Sequence, residues 1–130
     1  MKKILIVDDM SGWRKYNNNI IHNIYQENVT TDCANSAREG YELIYNNLNA
    51  PYDAILTDLQ MEEDFLPKYA GEWLIEQVKL LNEYKKTKIV IISATYNIQT
   101  IAETYGVLYI PKRIASTSIE PYKEILGQII

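Results

Sequence analysis

Lys3-Ile4-Leu5-Ile6-Val7-Asp8-Asp9 is the stretch that decides the fold. Four consecutive apolar residues, mostly β-branched, read as a strand covered on both faces, because a strand with one wet face would alternate. The run stops at once on two carboxylates, so a buried strand delivers charge at its carboxyl end. Four further runs follow, Val29 to Cys33, Ala54 to Thr57, Ile89 to Ile92 and Val107 to Ile110. The runs at Ala54 and Ile89 are again nearly continuous in apolar residues. Thr30, Thr31 and Asp32 make the Val29 run more polar and suit it to a sheet edge.

Helical spacing fills the intervals. Ser11 is placed to cap a helix carrying Trp13, Ile20, Ile21 and Ile24. Ser36 and Glu39 form a capping-box pattern ahead of Tyr41, Ile44 and Leu48. Leu74, Val78 and Leu81 form a third stripe, and Ile98, Ile101, Ala102 and Tyr105 a fourth. Ser118 precedes a last helix with Pro121 in its first turn and Ile125, Leu126 and Ile129 facing inward. Five strands, each followed by a helix, predict an α/β domain over residues 1–130. Its expected form is a doubly wound, five-stranded parallel sheet of flavodoxin-like order 2-1-3-4-5, with five helices in a three-layer sandwich.

The 130 residues suffice for one domain with a full core. The 47% apolar and 23% charged fractions are those of a soluble globular chain, not of a disordered or membrane-spanning one. The single cysteine cannot form an intramolecular disulfide; within its strand Cys33 is expected to be a small buried apolar group. A net charge of -4 argues against nucleic acid as a direct partner. The apolar run after Met1-Lys2-Lys3 is too short for a signal peptide, so a cytoplasmic protein without membrane insertion is expected.

In a parallel α/β sheet, ligands bind outside the carboxyl ends of the strands. Asp8 and Asp9 end the first strand, Asp58 the third, Ser93 the fourth and Lys112 the fifth. Carboxylates brought close together either share protons or hold a cation, and hard oxygen ligands with room for water and phosphate suit Mg2+. One carboxylate could then attack phosphorus while an amine and a hydroxyl hold the transferred oxygens. The chemistry implied is phosphoryl transfer onto an aspartate.

These residues resemble the receiver domain of two-component response regulators, along the whole chain. The carriers are Ile4 to Asp9, then Ile55-Leu56-Thr57-Asp58-Leu59-Gln60-Met61, then Val90-Ile91-Ile92-Ser93-Ala94, and Tyr109-Ile110-Pro111-Lys112. The resemblance implies that Asp58 is the phosphoacceptor. It implies a Mg2+ cofactor held by Asp9 directly, by Asp8 largely through water, by Asp58 and by the Gln60 backbone carbonyl. Ser93 and Lys112 would stabilise the phosphoryl group, Ser93 and Tyr109 would form the switch, and Gln60 and Thr95 would tune phosphoryl lifetime. The implied partners are a sensor histidine kinase or phosphotransfer protein, and an output protein in trans or a second copy docking on the helix 4–strand 5–helix 5 face. The implied activity is a stand-alone phosphorelay module, not an enzyme turning over a separate substrate. The alternative is a pseudo-receiver that binds partners without phosphorylation.

The sequence departs from the receiver pattern at four points. Glu62 follows Met61 where proline is usual, and Pro111 precedes Lys112 where proline usually follows. The Met61–Gly71 interval is about five residues long by excess, and the Gly106–Lys112 interval about one residue short. Glu62, Glu63 and Asp64 read as a solvated acidic loop, and Glu62 to Ala70 as a mobile one interrupted by Pro67. His22 lies off the apolar face of its helix and is expected in solvent. A phosphatase of the haloacid-dehalogenase-like class would need its strand-one aspartates one residue apart, and a flavodoxin-like binder a Ser/Thr/Gly-rich first loop. Neither pattern is present.

Overall fold

The β-branched runs pair into one five-stranded parallel sheet of order β2-β1-β3-β4-β5. The computed structural model describes residues 1–62, 65 and 68–127. The strands are β1 Lys2–Val7, β2 Val29–Ala34, β3 Ala54–Thr57, β4 Lys88–Ser93 and β5 Leu108–Pro111. The helices are α1 Ser11–Tyr25, α2 Ala37–Tyr45, α3 Ala70–Lys79, α4 Ile98–Tyr105, α5 Lys112–Ala115 and α6 Glu120–Leu126. A 3-10 turn at Asn82–Tyr84 leads into β4.

Alternation along β1 divides the core. Leu5 and Val7 join Ala37, Ile44, Leu74, Ile75 and Ile101 beneath α2, α3 and α4. Ile4 and Ile6 join Ile20, Ile21, Tyr122 and Leu126 beneath α1 and α6. Both faces are covered, which is why β1, β3 and β4 tolerate almost no polar residue. No helix among the described residues is long and apolar enough to cross a membrane.

Four local expectations need correction. The described helices number six, because α5 begins at the residue after β5 and the expected fifth helix is α6. Ser11 does not cap α1; Met10 stands at the N-cap without a side-chain bond, and the Asp8 carboxylate accepts the Met10 amide at 2.9 Å. Cys33 is exposed, because β2 is an edge strand of which only Val29 and Ala34 are fully buried. Leu48 and Leu81 lie beyond the ends of α2 and α3, although both still pack on the core. Ser36 does cap α2, with its Oγ accepting from the Glu39 amide at 3.1 Å, while the Glu39 carboxylate takes the Asn35 amide. His22 is exposed as expected, and Ile129 lies outside the described residues.

The α1–α6 seam is closed by tyrosine hydroxyls. Tyr25 donates to the Leu126 carbonyl at 2.6 Å, and buried Tyr122 donates to Asn17 Oδ1 at 2.5 Å. Asn17 is itself buried within α1. Tyr122→Phe leaves that amide oxygen without its donor, so a loss of about 1–3 kcal/mol is expected in urea unfolding. A change within error would mean that water replaces the hydroxyl.

Candidate functional site

The carboxyl ends of β1 and β3 lie side by side because the strands pair in register, Val7 opposite Thr57. The Asp58 amide continues the ladder to the Val7 carbonyl at 2.9 Å, and the Asp8 amide bonds the Ala34 carbonyl at 3.1 Å. One carboxylate oxygen from each of Asp8, Asp9 and Asp58 falls within 4.8 Å of the others. Asp8 and Asp58 are buried and Asp9 is exposed, so the cluster opens to solvent on one side.

Lys112 supplies the counter-charge. Its Nζ lies 3.0 Å from Asp58 Oδ2 and 3.1 Å from Asp8 Oδ2, with the residue only 8% exposed. It reaches this place as the first residue of α5, not as the end of a strand. Pro111 closes β5 opposite Ser93, on an edge strand where a missing N–H is tolerated, and turns the chain into the helix. The Trp13 ring centroid lies 4.9 Å from the ammonium, and Tyr16 meets Trp13 edge-on at 5.3 Å. The Tyr16 hydroxyl bonds the Ala115 carbonyl, so α1 holds α5 at both ends. This clamp was not legible in the sequence, beyond Trp13 lying near Asp9.

Burial raises the Asp8 carboxyl above its ordinary 3.8; the Met10 amide opposes this, the Asp58 charge adds to it, and Lys112 opposes it. Burial would lower the Lys112 ammonium, yet the charges and hydrogen bonds of Asp58 and Asp8 outweigh it and the net shift is upward. The site therefore carries more negative charge than one lysine balances, which favours a cation. Carboxylate oxygens at this spacing, one of them open to water, fit a hard divalent ion such as Mg2+.

Ser93 and Thr95 are buried beside the cluster, with their hydroxyls 2.9 Å apart. They line a cavity of about 160 Å³ together with Pro111 and Lys112. Tyr109 is half-buried and packs on the α2–α4 side of the core, and the Gln60 side chain is exposed. A larger cavity of about 480 Å³ lies at the opposite end of the sheet, among Lys79, Lys85, Lys86 and Lys88. The carbonyl ends of α3 and α4 reach that end, and cations there complement the helix dipoles.

Glu62 is half-buried and hydrogen-bonded, not a freely solvated loop residue. Its carboxylate accepts the Ala37 amide at 2.7 Å and the Arg38 amide at 3.2 Å. Glu63, Asp64 and Pro67 lie outside the described residues. Gly71, at the start of α3, packs against the backbone that carries Asp58. A Cβ there would stand 2.1 Å from the Asp58 carbonyl oxygen and 2.7 Å from Leu59 Cα.

No protein-family model matches the chain, and no curated protein matches it in sequence. Solved structures do match. The chemotaxis response regulator CheY4 of Vibrio cholerae superposes with a TM-score of 0.74 at 20% identity, over 100% of this chain and 99% of that one. The fold is that of CheY-like receiver domains. The phosphorylated cyanobacterial phytochrome response regulator RcpA gives 0.78 at 17% identity, over 98% of this receiver-fold chain and 95% of its own. The signal receiver domain of a DNA-binding response regulator from Colwellia psychrerythraea gives 0.79 at 13% identity, over 99% and 98%. At these identities the likeness is one of fold.

Two outcomes follow from the site. Gly71→Ala is expected to cost about 1–3 kcal/mol in denaturant unfolding, since the methyl must displace backbone and not a flexible side chain. A carboxyl whose pKa is higher in the folded chain opposes folding as pH rises through that value. Asp8→Asn should therefore raise the metal-free melting temperature at pH 7, with the gain shrinking as acid protonates Asp8. A lowered melting temperature at pH 7 would mean that the ion pair with Lys112 outweighs burial and repulsion.

Proposed function

We propose that residues 1–130 form one receiver domain, a phosphorelay signalling module that accepts a phosphoryl group on Asp58 from a phosphohistidine. The observation that carries this reading is the meeting of Asp8, Asp9 and Asp58 beneath the Lys112 ammonium, at the carboxyl end of the sheet. The third carboxylate, Asp9, open to solvent beside this pair, favours the phosphorylated module over one that works without phosphorylation.

In this reading an Asp58 carboxylate oxygen forms the new bond to phosphorus as the phosphorus–nitrogen bond of the donor breaks. The electron pair stays on the departing imidazole. Asp9, Asp8, Asp58 and the Gln60 carbonyl would hold Mg2+, which offsets the charge of the phosphoryl oxygens. Lys112 turns from the Asp58 carboxylate to a phosphoryl oxygen, and the Ser93 hydroxyl exchanges its Thr95 partner for another. Gln60, which is exposed, and Thr95, buried beside Ser93, would tune how readily water reaches the product.

The proposed donor is a sensor histidine kinase or phosphotransfer protein. The proposed readout face is α4, β5 and α6, presented to an output protein in trans or to a second copy. Movement of Ser93 towards phosphate would open space for the Tyr109 ring, shifting a population that the unmodified chain already samples. No separate substrate is turned over.

Incubation with Mg2+ and a small phosphodonor such as acetyl phosphate should add the mass of one phosphoryl group, and omitting the cation should abolish the shift. Asp58→Asn should remain unlabelled, because an amide is no nucleophile here. Equal labelling of wild type and variant would end the reading. Amide exchange with a phosphoryl mimic should change protection between Ile98 and Ile110; changes confined to the loops at Asp8, Asp58 and Lys112 would place the readout on another face.

A further inference from the structure

We infer that Glu62 is a positioning residue for the metal site, holding the segment after Asp58, with the Gln60 carbonyl, against the N-terminus of α2. This deepens the reading of the carboxylate cluster as a Mg2+ site and rests on it. The first four amides of a helix have no partner within it. In α2 the N-cap side chain satisfies one of them, with the Glu39 amide donating to Ser36 Oγ at 3.1 Å, while the Gly40 amide makes the first bond of the helix itself, to the Ser36 carbonyl at 3.0 Å. Two more, on Ala37 and Arg38, both donate to the Glu62 carboxylate. A charged group from 25 residues along the chain extends the cap that the local sequence begins.

The placement of Glu62 gives the cap its consequence. It lies four residues after Asp58 and two after Gln60, so the segment that would present the Gln60 carbonyl to a metal is held at both ends. On the other side, α2 sits directly on β1. A Cβ at Gly40 would be 3.1 Å from Val7 Cγ2, and Val7 immediately precedes Asp8. Asp58, Glu62, α2, Val7 and Asp8 thus form a closed bracket around the carboxylates. A second set of contacts reinforces it: the Phe65 ring stacks on Trp73 at 4.8 Å, and the Arg38 guanidinium lies 5.0 Å from the Phe65 centroid. Arg38 therefore meets the same loop with its backbone amide and its side chain.

The test compares Glu62 with a residue that caps the same helix without touching the loop. Mg2+ affinity is measured by calorimetry on the full chain for wild type, Glu62→Ala, Glu62→Gln and Ser36→Ala, with melting temperatures alongside. Glu62→Ala is expected to weaken Mg2+ binding about 10-fold, the lower end of what loss of a supporting partner costs a metal site. Glu62→Gln should fall between, since its amide oxygen accepts one bond without charge, and it carries the test if the alanine variant does not fold. Ser36→Ala should lower the melting temperature yet leave Mg2+ affinity within about twofold, because only the bracket, and not the helix, is spared. Unchanged affinity in both Glu62 variants, or an equal loss in Ser36→Ala, overturns the inference and leaves the proposed function standing. A wild-type chain that binds no Mg2+ overturns both.

Discussion

The contact of one lysine with two buried aspartates is the constraint on which the rest of the structure depends. Asp8 and Asp58 are brought together by strand pairing, and two carboxylates so placed repel in a setting that water only partly screens. Lys112, at 3.0 and 3.1 Å, supplies the positive charge that offsets this repulsion. It must therefore be delivered to one point from the far edge of the sheet, two strands away from Asp58. β5, Pro111 and α5 make that delivery, and Trp13 and Tyr16 of α1 hold it in place. Burial is what chiefly raises the Asp8 carboxyl, and the Asp58 charge adds to it; three carboxylates still meet a single ammonium. The residual negative charge is the physical basis for expecting a divalent cation.

The fold was legible because its signals are local. A buried parallel strand needs an unbroken apolar run, and Ile4 to Val7 and Ile89 to Ile92 supply one each. Asp8, Asp9, Asp58, Ser93 and Lys112 could be read as convergent because strand ends in a parallel sheet share one side. The misreadings each have a physical cause. Cys33 looked buried because it belongs to an apolar-flanked strand, but an edge strand is covered incompletely. The same four-residue helix that delivers Lys112 was invisible because Lys-Arg-Ile-Ala is too short to show a period. Glu62 looked solvated because its partners, the amides of Ala37 and Arg38, are backbone groups of a distant helix and leave no trace in side-chain pattern.

The glycines near the site separate packing from flexibility. Gly71 is required by the Asp58 carbonyl 2.1 Å from where a side chain would begin, so α3 starts in contact with the Asp58 backbone. Its amide also bonds the Leu59 carbonyl at 3.0 Å. Gly106 is different: it has open space around it and a left-handed φ of 66°, and it ends α4. One glycine lets two elements touch, and the other lets one element stop before β5.

The site is consequently braced on two sides by unrelated means. On the α1 side the support is aromatic: an ammonium over an indole, an edge-on phenol and a hydroxyl on a helix carbonyl. On the α2 side it is a carboxylate on two helix amides. Between them, the Ser93–Thr95 hydroxyl pair has no covalent or ionic restraint and faces the small cavity beside Lys112. An arriving phosphoryl group would meet the Lys112 ammonium and one pair of neutral hydroxyls able to change partners. Ser93 ends β4, and the half-buried Tyr109 lies on the neighbouring strand β5, so the proposed response would pass from the hydroxyl pair to that ring.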